Sequence, residues 1–344
     1  MAQDITLLGA TYRSVPSVLL PKTGGGTAKF VELSNQNGKV VKNGELISQY
    51  GQVVFSNGLY DTTECCQMTV AVSNKETDII AGTISGKYEN DEATAVGNSG
   101  FRDRTLLTEI SLPNAVSIGN YAFNGCSALE TADIPSAKTI GSNAFQGCAN
   151  LETADTSSAE TIGSNAFQGC SMLSDIDLSK VKTIGGSAFR DCAALTEVDA
   201  PKCSSIASSY AFYHCTSITR VKLPLCGAIQ TTTFQGCTGL TSADIGGGYA
   251  GSAARRIYAN GFNGCSALTA LILRETKAIY ALSNVNALSG TPIQSGSGYI
   301  YVPNALKTTY QSATNWSTYS SQFRSLESYT VDGTVSGALD PNKI

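Results

Sequence analysis

Eleven cysteines occur in this chain of 344 residues, but only one histidine, His214. Seven of the cysteines follow a phenylalanine by three residues and recur at intervals of 22 residues or slightly more. The pairs are Phe123 and Cys126, Phe145 and Cys148, Phe167 and Cys170, Phe189 and Cys192, Phe212 and Cys215, Phe234 and Cys237, and Phe262 and Cys265. A zinc site usually takes Cys-x-x-Cys pairs and histidines, and the chain has no such cysteine pair. We therefore expect a buried column of small thiols, without a metal or another cofactor.

The same period runs through the residues around each cysteine. After Cys126 come Leu129, Ile134 and Pro135, then an Ile-Gly pair that leads to the next phenylalanine. A fixed period of this size is typical of a solenoid, in which each coil buries its apolar face against its neighbours. The sequence therefore predicts an α/β-type repeat solenoid, with a parallel β-sheet, short turns and little helix. Each coil should place its phenylalanine, leucine and cysteine in the core.

One position per coil should point outward from the predicted sheet. Five of its residues are aspartates, and adjacent strands lie about 4.8 Å apart, so like charges should face each other along a column. The column consists of Ser111, Asp133, Asp155, Asp177, Asp199, Lys222, Asp244 and Ile272. We predict that Asp133, Asp155, Asp177, Asp199, Arg220, Lys222 and Asp244 form a stripe that binds a cation or a basic ligand. The alternative is a solvated face without a function. Arg220 and Lys222 should pair with Glu197, Asp199 and Asp244.

Catalytic chemistry finds little support in these residue types. A serine or cysteine nucleophile needs a basic partner, and His214 occupies a turn position that is glycine in most coils. Paired carboxylates could hydrolyse a glycoside, but an exposed column has no pocket that would separate two pKa values. We expect the protein not to be an enzyme, and a carbohydrate-active enzyme remains the third alternative.

Composition and charge argue against several other classes of protein. The net charge of −4 argues against nucleic-acid binding, which usually requires a basic patch. No run of about 18 apolar residues occurs, so we expect no membrane insertion. The start, Met1 to Ile5, lacks a basic segment followed by an apolar stretch, and the sequence therefore predicts no ordinary signal peptide.

Three domains are predicted along the chain. Residues 1–95 contain short apolar runs such as Gln52 to Phe55, bounded by Asn-Gly turns, and predict a small β-rich domain for attachment or oligomerisation. The solenoid is placed at 96–298, with a surface loop inserted within residues 246–256. Residues 299–344 should cap it with a strand, a short helix that Asn304 begins as its N-cap, and a tail.

The repeat closely resembles the BspA-like leucine-rich repeats. The resemblance lies in Ala122-Phe123-Asn124-Gly125-Cys126, Leu129, Ile134-Pro135 and Ile140-Gly141, and in the later coils. Residues 299–329, with Tyr301-Val302-Pro303 and Asn315-Trp316, resemble the C-terminal cap of such arrays in gut bacteria and their phages. The family implies a right-handed, curved binding solenoid without catalytic residues, and many members are secreted or surface proteins.

A second resemblance concerns the beginning of the chain. Asp4 to Ala10, Val15-Pro16-Ser17, Leu20-Pro21-Lys22 and Gly24 to Ala28 resemble the start of structural proteins in phages and prophages of gut bacteria. The resemblance implies a virion protein, of the tail fibre, baseplate or capsid decoration, that is assembled in the host cytoplasm. It would contact other virion proteins through its N-terminal domain, bind a host-surface protein or glycan, and form a homo-oligomer. The alternative is a BspA-like bacterial cell-surface adhesin.

Overall fold

The computed structural model describes residues 86–247 and 255–328. Outside these ranges it describes only the backbone of twelve short strands, which pair antiparallel. They are Ile5–Leu7, Ala10–Tyr12, Ser17–Val18, Val31–Glu32, Ser34–Gln36, Lys39–Lys42, Glu45–Leu46, Ser48–Gln49, Gln52–Phe55, Gly58–Asp61, Thr330–Val331 and Thr334–Val335. The predicted domain over residues 1–95 and the predicted loop at 246–256 therefore lie largely outside the described residues, as does the tail.

Parallel strands from successive coils form the first face of the solenoid, which we name sheet A. Its first part has four strands, Gly86–Glu89, Leu107–Ser111, Thr131–Asp133 and Thr153–Ala154. Its second part has six: Glu197–Asp199, Arg220–Leu223, Ser242–Ile245, Ala270–Leu273, Tyr299–Val302 and Phe323–Ser325. Within each part the pairing is parallel, so equivalent residues of successive coils lie side by side. The predicted parallel solenoid is confirmed.

A second column of shorter parallel strands, sheet B, comes from the Ile-Gly segments. It contains Ala95–Val96, Ser117–Ile118, Thr139–Ile140, Thr161–Ile162, Thr183–Ile184 and Ser205–Ile206, followed by Ala228–Ile229, Arg256–Ile257 and Ala281–Leu282. Four successive coils carry glycine after the isoleucine, from Gly119 to Gly185, and there the close approach of adjacent coils leaves no room for a side chain. A Cβ on Gly163 would lie 2.6 Å from the backbone nitrogen of Ser142 in the preceding coil. The coils stack this closely because no side chain separates the two backbones there.

The core between the sheets is the predicted column of rings and thiols. Each core phenylalanine from Phe101 to Phe262 is fully buried. Successive rings stack with centroids 5.0–5.4 Å apart and nearly parallel planes. The seven cysteines of the repeat are buried and free. Each donates a hydrogen bond from its Sγ to the carbonyl of the preceding coil's phenylalanine, for example from Cys148 to Phe123 at 3.1 Å.

Sheet A is interrupted at one coil, where the sequence predicts a continuous sheet. No strand forms in residues 171–182, between Thr153–Ala154 and Glu197–Asp199. Asp175 contributes to the break because its own Oδ1 accepts a hydrogen bond from the backbone N–H of Ile176 at 2.9 Å. Thr156 occupies an inward position that is apolar in its neighbours, and its Oγ1 donates to the carbonyl of Asp177 at 2.8 Å. Hydrogen bonds of side chains thus replace some of the backbone hydrogen bonds that join adjacent strands elsewhere in sheet A.

The two ends of the solenoid extend beyond the predicted limits of 96 and 298. The first strand, Gly86–Glu89, pairs with Leu107–Ser111, and Tyr88 packs edge-on against Phe101 at 4.7 Å. At the other end, Tyr299–Val302 and Phe323–Ser325 complete sheet A.

Short helices follow the last coils. They are Val285–Leu288 (3₁₀), Pro292–Ser295 (α), Asn304–Ser312 (α), Trp316–Gln322 (3₁₀) and Leu326–Ser328 (3₁₀). Asn304 is the first residue of its helix, and Pro303 precedes it without a side-chain cap, so the prediction of Asn304 as N-cap was wrong. Buried Tyr310, Trp316 and Phe323 pack together over the end of the core.

Candidate interaction surface

The predicted column of outward residues lies on the outer face of sheet A. Strand pairing brings Ser111 beside Asp133, and places Asp199, Lys222 and Asp244 side by side. Ile272 continues this register on the same face of the sheet, but it is only 2 % exposed. Its side chain is apolar, and burying it removes hydrocarbon from water. The charged part of the column therefore ends at Asp244.

Ion pairs neutralise the second half of the column. Arg220 Nε lies 3.1 Å from Glu197 Oε1, and Lys222 Nζ lies 3.4 Å from Asp199 Oδ2. Both pairs were predicted from the sequence. The predicted partner of Asp244 was wrong: Arg274 contacts it instead, with Nε 2.7 and 2.9 Å from the two carboxylate oxygens.

Sequence reasoning missed Arg274 for a positional reason. It lies just after its strand, at the position where several coils carry proline, and not in the outward column. The other coils from Pro113 onward carry only uncharged residues at this position, so the charge of Arg274 is the signal that could have indicated the pair. The Asp244–Arg274 pair is also less exposed than the other two pairs, with both side chains about a fifth exposed.

The first half of the column has no such neutralisation within the described residues. Asp133 accepts a hydrogen bond from Ser111 Oγ at 2.7 Å, and Asp155 accepts one from the backbone N–H of Ser157 at 3.0 Å. Asp177 accepts a bond from the backbone N–H of Ser179 at 2.8 Å. Hydrogen bonds from the Ser179 side chain and backbone hold the pKa of Asp177 below its ordinary value, because they favour the charged form.

Two exposed glutamates extend this negative region. Glu130 and Glu152 lie in adjacent coils, and neither forms an ion pair with any residue that the structure describes. We name Glu130, Asp133, Glu152, Asp155 and Asp177 the acidic segment. Among the described residues no group of three or more histidines, cysteines and carboxylates is arranged to hold a metal ion. A basic ligand is therefore the partner that we consider further for this segment.

The nine thiols in residues 86–247 and 255–328 are buried and do not form a reactive site. Burial raises the pKa of Cys126 and Cys203 to about 12 and that of Cys226 to about 11. Because the thiolate is the nucleophile, such cysteines are unreactive near neutral pH. His214 is half exposed, and its ring stacks on Tyr213 with centroids 3.8 Å apart. Its Nδ1 lies 3.7 Å from Asp191 Oδ1.

No helix in residues 86–247 or 255–328 has the length and hydropathy needed to cross a membrane.

Solved structures with similar chains include leucine-rich repeat proteins of bacteria. The Treponema pallidum protein TpLRR is 22% identical, with a TM-score of 0.34, over 56% of this chain and 75% of the other. A leucine-rich cell surface protein of Faecalibacterium prausnitzii is 18% identical, with a TM-score of 0.32, over 85% and 96% of the two chains. A leucine-rich repeat protein of Bacteroides ovatus is 19% identical, with a TM-score of 0.27, over 86% and 98%. No curated protein matches this chain.

The family comparison concerns the repeats themselves. The family described as the BspA type leucine-rich repeat region matches in six copies, over residues 94–219 and 182–318. These residues make up more than half of the chain and contain the phenylalanine and cysteine columns, sheet B, the outward column and all of sheet A except its first and last strands. The resemblance stated from the repeat motif is thereby confirmed. The chain belongs to the BspA-type leucine-rich repeat proteins.

Proposed function

We propose that this protein is a non-catalytic binding protein of the bacterial cell surface, and that the outer face of sheet A recognises a basic partner. Membership in the BspA type supports a binding role, because these repeats are known from bacterial surface proteins and typically carry no catalysis. The specific partner and the residues that contact it are our inference from the charge arrangement.

The acidic segment is the observation that carries this proposal. Asp199 and Asp244 each form an ion pair with a cationic side chain, whereas Asp133, Asp155 and Asp177 form none with the described residues, although Lys180 lies near enough to Asp177 to act on its charge. Two unit charges 4 Å apart in water repel each other by about 1 kcal/mol, so the arrangement opposes folding slightly. A basic partner would remove this repulsion when it binds. Complementary charge of this kind raises the rate of association and the specificity of an interface.

The best test compares two triple variants of the same column. The first, Asp133→Asn with Asp155→Asn and Asp177→Asn, removes three charges of the acidic segment. The matched control, Glu197→Gln with Asp199→Asn and Asp244→Asn, removes three charges that are already ion-paired. We expect the first variant to bind a fluorescent oligolysine peptide at least about tenfold more weakly at low salt, and the control to lose much less. Equal loss in both variants would show that only net charge matters.

Localisation requires a separate experiment. A membrane-impermeant biotin reagent, applied to intact bacteria that express the protein, should label it if it lies on the cell surface. The prediction of a virion structural protein rests on residues 4–28, which lie outside the described ranges. Mass spectrometry of purified phage particles tests that reading. Finding the chain in particles and not on cells would replace the cell-surface proposal.

A further inference from the structure

A different surface of the solenoid carries a second set of exposed side chains. It is formed by the turn after each core phenylalanine, and we name it the turn ridge. The second residue of this turn adopts a left-handed backbone in every coil from Phe101 to Phe262. Five coils place glycine there, with φ of 72–76°: Gly125, Gly147, Gly169, Gly236 and Gly264. The exceptions are Asp103, Asp191 and His214.

Two of these exceptions belong to the same three-residue motif, in coils far apart along the chain. Phe101 is followed by Arg102 and Asp103, and Arg102 Nε lies 3.4 Å from Asp103 Oδ2. The next coil presents Tyr121, whose ring centroid is 5.5 Å from Arg102 Cζ. We name Arg102, Asp103 and Tyr121 the first station.

The second station repeats this arrangement at equivalent repeat positions. Phe189 is followed by Arg190 and Asp191, and Arg190 Nε lies 3.2 Å from Asp191 Oδ2. Tyr210 of the next coil lies with its ring centroid 5.9 Å from Arg190 Cζ. Each tyrosine precedes its own core phenylalanine by two residues, so both stations use the same three positions of the repeat.

The backbone conformation at the two tyrosines of the stations favours other residue types. Tyr121 and Tyr210 have φ of 57° and 65°, a left-handed conformation that is a genuine outlier for a bulky residue. Asn143, Asn165 and Ser187 occupy the equivalent position in the three intervening coils, and asparagine tolerates that conformation better than tyrosine. Strain of this kind costs on the order of 1 kcal/mol and is concentrated at functional sites. Both tyrosines also remain about 40% exposed, so burial does not compensate for the strain.

The stations are four coils apart, which is about 19 Å at the usual spacing of adjacent strands. The ridge between them is a ladder of neutral amides. Asn124 Nδ2 donates to Gln146 Oε1 at 3.1 Å, and Gln146 Nε2 donates to Gln168 Oε1 at 3.1 Å. The glycines beside this ladder leave its edge without side chains. The stations and the ladder together form a linear polar surface whose motif recurs.

The chemistry of each station favours a neutral, hydroxyl-rich ligand. An arginine offers only donors and an aspartate only acceptors, whereas a hydroxyl group both donates and accepts. The charges of the arginine and the aspartate within a station cancel. A charged polymer, whether anionic or cationic, therefore finds no net electrostatic attraction there. The tyrosine ring adds a flat apolar face. In a complex with a protein partner, the residues that contribute most of the binding energy usually cluster at the centre of one buried patch. Two small stations separated by a polar ladder do not fit that pattern.

We propose that the turn ridge binds a neutral polysaccharide, with one sugar unit held at Arg102, Asp103 and Tyr121 and another at Arg190, Asp191 and Tyr210. This site is distinct from the outer face of sheet A and does not depend on the acidic segment. Tyr213 and His214 extend the second station. Arg190 Cζ lies 5.3 Å from the Tyr213 ring centroid, and the His214 ring stacks on that tyrosine.

The repeat itself supplies variants that should keep the fold. Arg190→Gln, Asp191→Gly and Tyr210→Asn together install the residue types of Gln146, Gly147 and Asn143 at the second station. Arg102→Gln, Asp103→Gly and Tyr121→Asn do the same at the first station. Circular dichroism and thermal unfolding should show unchanged or raised stability, because strained residues are replaced by those that suit the turn.

Affinity electrophoresis of the full chain then tests binding. Native gels would contain soluble glucan, mannan, xylan or galactan, with hyaluronan and gelatin as charged and protein probes. We expect at least one neutral polysaccharide to retard the wild-type protein. Replacing one station should weaken that binding at least about tenfold, since two linked contacts reinforce each other, and replacing both should abolish it. A di- or trisaccharide of the same sugar cannot span both stations, so replacing one station should change its affinity by no more than about twofold.

Three outcomes would overturn the proposal. They are no retardation of the wild-type protein by any neutral polysaccharide, retardation that persists in the variant without both stations, and retardation by gelatin or hyaluronan alone. The oligolysine experiment on sheet A uses other residues. Its failure and the failure of this proposal can therefore be told apart.

Discussion

The thiol of Cys170 donates a hydrogen bond to the backbone carbonyl of Phe145 in the preceding coil, with 3.1 Å between Sγ and the oxygen. The same bond links Cys126 to Phe101 and each later cysteine of the column to the phenylalanine one coil earlier. The Phe145 carbonyl also accepts the backbone N–H of Cys148 at 3.1 Å, so the thiol fills the core and supplies a second hydrogen bond to that buried carbonyl. This accounts for the recurrence of cysteine without a metal or disulfide role.

Replacing this thiol should destabilise the protein measurably. We expect Cys170→Ala to lower the free energy of unfolding by about 1–2 kcal/mol, because it leaves a small cavity and removes one of the two hydrogen bonds to the Phe145 carbonyl. Urea unfolding followed by circular dichroism measures this. The control is Met172→Ala in the same coil, where a side chain about half exposed should matter by no more than about 0.5 kcal/mol. Equal effects in the two variants would contradict the role of the thiol.

The stacked phenylalanines should couple adjacent coils. Phe167 lies between Phe145 and Phe189, with centroids 5.2 and 5.3 Å away. Phe167→Ala should cost about 3–5 kcal/mol. Since each coil contacts only its neighbours, we also expect unfolding to separate into two steps, one on each side of the replaced ring.

Calorimetry and denaturant titration with two probes would show these steps. Phe167→Leu, which retains much of the volume, should keep a single transition with a smaller loss. A loss below about 1 kcal/mol for Phe167→Ala would argue against the packed column.

Most of the architecture could be predicted from the sequence because the repeat imposes it. Phe123 and Cys126 recur with one period, and a period that long can bury its apolar face only by stacking. The interruption at Asp175 and Ile176 could not be predicted, since it depends on an aspartate bonding to a neighbouring backbone N–H. The pairing of Asp244 with Arg274 likewise depends on how far one side chain reaches across neighbouring strands.

The candidate surfaces were predictable only in part. The sequence placed Asp133, Asp155 and Asp177 in one column, but only the contacts of Lys222 and Arg274 showed which carboxylates are neutralised. The stations of the turn ridge were missed, although aspartate in place of glycine at Asp103 and Asp191 was visible in the sequence. The aspartates indicate a site only once the structure shows which tyrosine of the next coil joins each of them in a station.

A buried ion pair should stabilise the coil that follows the insertion. Arg255 Nε lies 2.8 Å from Glu275 Oε2, and the two side chains are only 17% and 4% exposed. Glu275→Gln should cost about 3 kcal/mol, because it leaves a buried guanidinium beside a neutral amide. The matched control, Glu197→Gln in the exposed pair with Arg220, should cost no more than about 1 kcal/mol. Thermal unfolding that ranks the two variants in the opposite order would contradict this.

The protein should lose stability in alkaline solution. Thiols in the unfolded chain ionise near their ordinary pKa of 9.0, whereas burial raises the pKa of Cys126 and Cys203 to about 12. The stabilising contribution is therefore complete below about pH 9 and is lost as the pH rises towards 12. Each such thiol should lower the free energy of unfolding by about 1.4 kcal/mol per pH unit in this window. Urea midpoints between pH 7 and pH 11 measure the effect, and a constant midpoint would contradict it.

Alkylation of the native protein tests the central claim most directly, namely that the coils stack around a dry column of phenylalanines and free thiols. The nine cysteines in the described residues are all buried and free. Mass spectrometry after iodoacetamide treatment should find these nine unmodified in the native protein, and all nine alkylated once the protein is unfolded without a reductant. Rapid labelling of the native protein would contradict the account, as would disulfide-linked or metal-bound sulfurs that resist labelling after unfolding.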